Sequence, residues 1–159
     1  MTQWPGLAVR AWSLRDEADA ARWRYGGRWS VYDQPADHET PITRRAVVSG
    51  DDGRVVGFYC VGDDARVPGL AADGAVTDLG MGMAPDLVGR GRGEAFARAV
   101  LDDVHRTLPD KPLRAVIQTW NTRGLRLAYR MGFEVVGEHR VTRDGPDVGY
   151  TVLILPCQR

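Results

Sequence analysis

The segment from Thr77 to Leu108, TDLGMGMAPDLVGRGRGEAFARAVLDDVHRTL, constrains the fold most: an apolar run meets a proline, then spaced glycines, then a helical pattern. It reads as a strand, a loop and a helix in direct succession. Gly89, Gly91 and Gly93 carry no Cβ, so the backbone can take positive φ there and bring several N–H groups close to one ligand. The helix that follows aims its unpaired first amides, and the positive end of its dipole, at the same point. That combination suits an anion such as a phosphate. Arg90 and Arg92 add positive charge to the loop.

Two familiar phosphate loops do not fit. A P-loop nucleotide site needs Lys and then Ser or Thr after its last glycine, whereas Glu94 follows Gly93. A dinucleotide fingerprint needs an acidic residue about 20 positions on, at a strand end, and that place is held by Pro112 and Leu113. Gly89-Arg90-Gly91-Arg92-Gly93 after Met81-Gly82-Met83-Ala84-Pro85 instead resembles motif A of the GNAT superfamily of acyl-CoA N-acyltransferases, Q/R-x-x-G-x-G/A, with Val88 where Gln or Arg is usual. Asn121 to Phe133, NTRGLRLAYRMGF, resembles the family's motif B, N-x-x-A/S-I-x-L-Y-x-x-x-G-F.

The rest of the chain agrees with one domain over residues 1–159, a length that supports a continuous core without metal or disulfide. Hydrophobic residues at 43% and charged residues at 26% are globular values, and a formal net charge of zero argues against binding nucleic acid or an anionic membrane through bulk electrostatics. No apolar run is long enough for a signal peptide or a membrane span. Cys60 and Cys157 form no CxxC, and His38, His105 and His139 are scattered, so we expect reduced thiols, a cytoplasmic protein and no metal.

Strands are expected over Leu7–Trp12, Ile42–Ser49, Val55–Val61, Ala75–Ala84, Leu113–Thr119, Phe133–Thr142 and Val148–Leu155. Asp51-Asp52-Gly53 signals a hairpin between the second and third. Helices are expected from Leu14 to Tyr25, capped by Ser13; from the glycine loop to Leu108, with Phe96, Val100, Val104 and Leu108 at helical spacing; and from Asn121 to Gly132. Pro35 to Pro41 reads as a polar loop. This order is similar to that of the GNAT fold. The resemblance implies an α/β (α+β) protein: a mixed twisted sheet of about seven strands flanked by helices, with a coenzyme cleft between the fourth and fifth strands.

The resemblance also implies a reaction, transfer of an acetyl group from acetyl-CoA to an amine by direct attack on the thioester. Coenzyme contacts would fall to Val88, Gly89, Arg90, Gly91, Arg92 and Gly93 at the pyrophosphate, to the backbone of Met81 and Met83 along the pantetheine arm, and to Asn121. The Met81 N–H would receive the developing oxyanion. Asp78 is the one carboxylate within Ala75–Ala84 and so the candidate base, with Asp33, Glu94 and Glu134 behind it. The family's acid, a tyrosine, falls at Ala128, and Tyr129 comes one residue late, which on a helix is a turn of about 100°. Trp23, Tyr25, Trp29 and Tyr32 could wall an acceptor pocket or simply pack a helix on the sheet. The acceptor would be a small-molecule amine or a peptide N-terminus. Many proteins of this fold pair through their C-terminal strands, and Val152 to Leu155 is apolar enough for a homodimer of that kind, with the oligomeric state left open; an acyl-CoA-binding module without catalysis is the alternative function.

Overall fold

The structure is a computed structural model that describes residues 6–34, 43–142 and 145–157. Among the described residues seven strands form one sheet in the order β1-β2-β3-β4-β5-β7-β6. They are β1 (Leu7–Ala11), β2 (Arg45–Ser49), β3 (Val55–Val61), β4 (Thr77–Met83), β5 (Leu113–Gln118), β6 (Glu134–Val141) and β7 (Val148–Leu155). Among the same residues three α-helices intervene: α1 (Leu14–Ala20), α2 (Gly93–Thr107) and α3 (Thr122–Arg130). β1 with β2, β2 with β3, β5 with β7 and β6 with β7 pair antiparallel, whereas β4 pairs with β5 in parallel. The expected order of elements and the mixed sheet are both present.

The chain gathers into two compact units, one of Met1–Cys60 with Met81–Asp103 and one of Val61–Gly80 with Val104–Arg159. In the first, β2 and β3 make the expected hairpin, with Gly53 at φ +70° in the turn and the Ser49 N–H donating to the Arg54 carbonyl at 2.8 Å. Successive strand residues face opposite sides of a sheet, and Gly57 and Phe58 divide the two helices of this unit between them. The Phe96 ring of α2 lies against Gly57, and Trp23, just past α1, stacks on Phe58 at 6.3 Å. On α2, Phe96, Ala97, Val100 and Leu101 are all buried, as their spacing requires. Asp103 follows on the same helix, buried, and accepts from the Tyr59 hydroxyl and from Arg45 Nε at 3.1 Å.

The first helix is shorter than its pattern suggests. It opens on a complete capping box, with Ser13 Oγ accepting from the Asp16 N–H at 3.2 Å and Asp16 Oδ2 accepting from the Ser13 N–H at 2.8 Å. It ends at Ala20 rather than Tyr25. Beyond it, Arg22 and Trp23 bond to carbonyls three residues back, tightening the backbone so that Trp23 reaches Phe58. Packing has overridden local helix preference. Residues Gly27–Tyr32 form a 3-10 helix where the sequence carries little periodicity. The polar loop from Pro35 to Pro41, and Ile42 and His38, lie outside the described residues.

In the second unit β7 runs between β5 and β6. Val152, Leu153 and Leu155 of β7 are buried. The edge belongs to β6, where Val135 and Val136 are exposed beside Glu134 and Glu138. Both cysteines are free thiols, Cys60 buried and Cys157 exposed.

Candidate functional site

β4 ends at Met83 because Pro85 has no N–H to continue a ladder, and Pro85–Leu87 turns as a short 3-10 helix whose Leu87 is buried. Arg54 fixes this turn from the β2–β3 hairpin, its Nη2 2.8 Å from each oxygen of Asp86. The chain then enters the loop, with φ +78° at Gly89 and +73° at Gly91, and Gly93 begins α2. These positive values are what glycine at those places permits. A Cβ built on Gly91 would meet nothing within 4 Å, so space stands open beside that residue. Arg90 and Gly91 are exposed, and behind them the first turn of α2 keeps Gly93 and Glu94 half-buried, with Glu94 paired to Arg98 at 2.9 Å.

The backbone of β4 has a definite polarity. The Ala84 N–H donates to the Val56 carbonyl of β3 at 2.8 Å. Strand residues alternate the edge to which they offer N–H and C=O, so Met83 and Met81 turn theirs away from β3. Thr77 keeps the same alternation, since its N–H donates to the Pro112 carbonyl at 2.9 Å. Ladder pairs between β4 and β5 are Thr77 with Leu113 and Asp78 with Arg114. Gly82 is glycine for a steric reason, because a Cβ would come within 2.8 Å of the Phe58 ring.

Of the four aromatic residues, Trp23 packs against the cluster of Ala46, Val48 and Val55 and belongs to the core face. The other three form a chain of rings, Tyr25 edge-on to Tyr32 and Tyr32 tilted on Trp29, each pair with centroids 6.4 Å apart. Tyr25 does more than line this segment. Its hydroxyl donates to the Met83 carbonyl at 2.5 Å, and its own N–H donates to Asp33 Oδ1 at 2.8 Å. Burial, and then the charge of Asp33, push the phenol up to about 12, so it keeps its proton. Nothing in the sequence announces a contact spanning 58 residues.

In the second unit Asp78 is buried, as a base on that strand would have to be, but both its oxygens are held. Arg114 Nε lies 2.6 Å from Oδ1, and Arg114 Nη2 and Arg66 Nη1 lie 3.1 and 3.0 Å from Oδ2. The hydrogen bond to Asp78 raises the Arg114 guanidinium above its ordinary value, against the lowering effect of burial. Arg66 also pairs with Asp63, and Arg114 Nη2 reaches the Ala71 carbonyl at 2.9 Å, so the carboxylate gathers the 62–74 loop onto β4 and β5. Neither arginine is recognisable from sequence as an Asp78 partner.

Asn121 caps α3, its Oδ1 accepting from the Gly124 N–H at 2.8 Å. Ala128 is buried at 8% relative exposure while Tyr129 stands 49% exposed, the rotation its spacing predicts. Gly132 takes φ +97° after the helix, and Phe133 is buried behind it. Among the described residues there is no group of three or more His, Cys, Asp or Glu that could hold a metal ion, and no helix is long and apolar enough to cross a membrane.

No protein-family model matches the chain, and no curated protein matches it either. Many solved structures do. A protein assigned as a phosphinothricin N-acetyltransferase matches 97% of this chain and 100% of its own at TM-score 0.70 and 18% identity. Mutant forms of the spermidine/spermine N-acetyltransferase SpeG from Vibrio cholerae match 95% of each chain at TM-score 0.67 and 13% identity. The protein yncA from Salmonella typhimurium, assigned as an acetyltransferase and solved with its cofactor acetyl-CoA, matches 94% of this chain and 93% of its own at TM-score 0.60 and 19% identity. The fold of the chain is that of the GNAT acetyltransferases.

Proposed function

We propose that this chain, folded as the GNAT acetyltransferases are, is an N-acetyltransferase that takes acetyl-CoA as its acyl donor and a small-molecule amine or a peptide N-terminus as acceptor. The observation that carries this reading is the run from Met81 to Gly93: strand groups turned away from β3, then two positive-φ glycines, then the start of α2. That run fits the donor in two respects. Open space beside Gly91 and the first amides of α2 suit a pyrophosphate, with Arg90 and Arg92 adding charge. Backbone groups of Met81 and Met83 suit an amide-bearing arm laid alongside as an added strand. Support for acetyl-CoA comes also from the neighbour solved with it.

In this reading the thioester supplies an activated acetyl group, and the amine attacks it directly. The Met81 N–H stabilises the oxyanion that develops on the carbonyl, a contribution of roughly 3 kcal/mol for one such donor. Asp78 was the candidate base from sequence. Its oxygens are committed to two arginines, so we assign it instead to anchoring β4, and the attacking amine gives up its proton to water. Tyr129 takes no part as acid, because its phenol is on the exposed face of α3. The departing thiolate is stable enough to leave without a fixed acid, since a thiol ionises near 8.5.

The committed carboxylate and outward phenol are also what a binding module without turnover would carry, and this is the second reading. Thiol release from acetyl-CoA, followed against a panel of primary amines that includes spermidine and free amino acids, separates the two. Amine-dependent release with an acetylated product is expected. Saturable acetyl-CoA binding with no release on any amine would leave the binding module.

A further inference from the structure

Tyr25 and Val56 hold opposite sides of the same peptide group. The Tyr25 hydroxyl donates to the Met83 carbonyl at 2.5 Å, and the Ala84 N–H of that peptide donates to the Val56 carbonyl at 2.8 Å. This is the last peptide of β4 before Pro85 turns the chain toward the glycine loop. Left to itself, a peptide at a strand end next to a proline has one ladder partner and can tilt about it. Two hydrogen bonds from opposite edges remove that freedom. Tyr25 is in turn fixed, its N–H on Asp33 and its ring edge-on to Tyr32.

We infer that Tyr25 is a positioning residue for the donor substrate: by pinning the Met83–Ala84 peptide it sets the backbone edge on which the pantetheine arm of acetyl-CoA pairs. The inference rests on the function proposed above. It assigns the tyrosine to the arm and not to the pyrophosphate, because the held peptide lies on β4 while the positive-φ glycines and the start of α2 are separate. A carbonyl oxygen has two lone pairs, so the Tyr25 hydroxyl and an amide of the arm can share Met83. The phenol stays protonated throughout the neutral range and donates at every pH of use.

The test compares two ligands on one protein. Acetyl-CoA carries the arm, whereas ADP carries the pyrophosphate without it. Calorimetric titration of wild type and Tyr25→Phe with each should show acetyl-CoA binding weakened about five-fold by the loss of one neutral hydrogen bond, with ADP binding unchanged. Thermal melts of both proteins check that the ring packing survives the exchange. Wild-type affinity for both ligands in Tyr25→Phe would overturn the inference and leave the proposed function standing, as would equal loss of both. Failure of the wild type to bind acetyl-CoA would instead overturn the proposed function, and the inference with it.

Discussion

The ring of Phe96 rests on the bare Cα of Gly57: a Cβ there would lie 2.3 Å from Phe96 Cε2 and 2.5 Å from the Gly82 carbonyl oxygen. One glycine therefore seats α2, whose first turn ends the loop, and leaves room for the backbone of β4. The Gly82 oxygen is main chain and cannot swing aside. Gly57→Ala should cost about 2 to 3 kcal/mol through overpacking, read as a lower midpoint in urea unfolding with the slope unchanged. A variant as stable as wild type would mean that α2 is not seated on Gly57.

Asp78→Asn separates anchor from base. Removing one partner from a buried ion pair costs about 3 to 5 kcal/mol, and roughly 2 to 3 is expected here because Arg66 and Arg114 retain some solvent access. An anchor gives that loss of stability with a turnover number, corrected for folded protein, within a few-fold of wild type. A drop of a hundred-fold or more at unchanged fold would restore Asp78 as the base.

Tyr129→Phe should leave kcat within two-fold of wild type, since the phenol is exposed on α3. A large fall in kcat with unchanged donor affinity would put the hydroxyl back at the leaving sulfur.

Tyr25 adds a pH signature. Its phenol is pushed up to about 12, from an ordinary value near 10, by burial first and the Asp33 charge second. The folded chain therefore holds this proton more tightly than the unfolded chain. The resulting stabilisation is complete below about pH 10 and is lost as pH rises from about 10 to 12, on the order of 2 to 3 kcal/mol. Urea unfolding at pH 9 and pH 11.5 measures it, with Tyr25→Phe supplying the background from other groups. The same slope in both proteins would show that Tyr25 ionises as in the unfolded chain.

What could be read from sequence was whatever local spacing dictates. The strand, glycine loop and helix follow from Pro85, Gly89, Gly91 and the apolar period of α2, and all appear where expected. The displacement of Tyr129 was equally legible, because counting back from Gly132 and Phe133 fixes which residue of α3 faces inward. The extent of α1 was not, since Trp23 leaves helical geometry to reach Phe58, which is far away in sequence. The partners of Asp78 and the bond from Tyr25 to Met83 were hidden for the same reason. They join residues that only the sheet order brings together, and no periodicity encodes such a pairing. The polar character of a site residue was readable, while its partners were not.

The most direct measurement is calorimetric titration of the wild-type protein with acetyl-CoA, with NAD run under the same conditions. An acetyl-CoA-dependent enzyme gives saturable binding at one site per chain with acetyl-CoA and none with NAD. Absence of acetyl-CoA binding, or equal binding of NAD, would contradict the assignment of the Met81 to Gly93 run to an acyl-CoA.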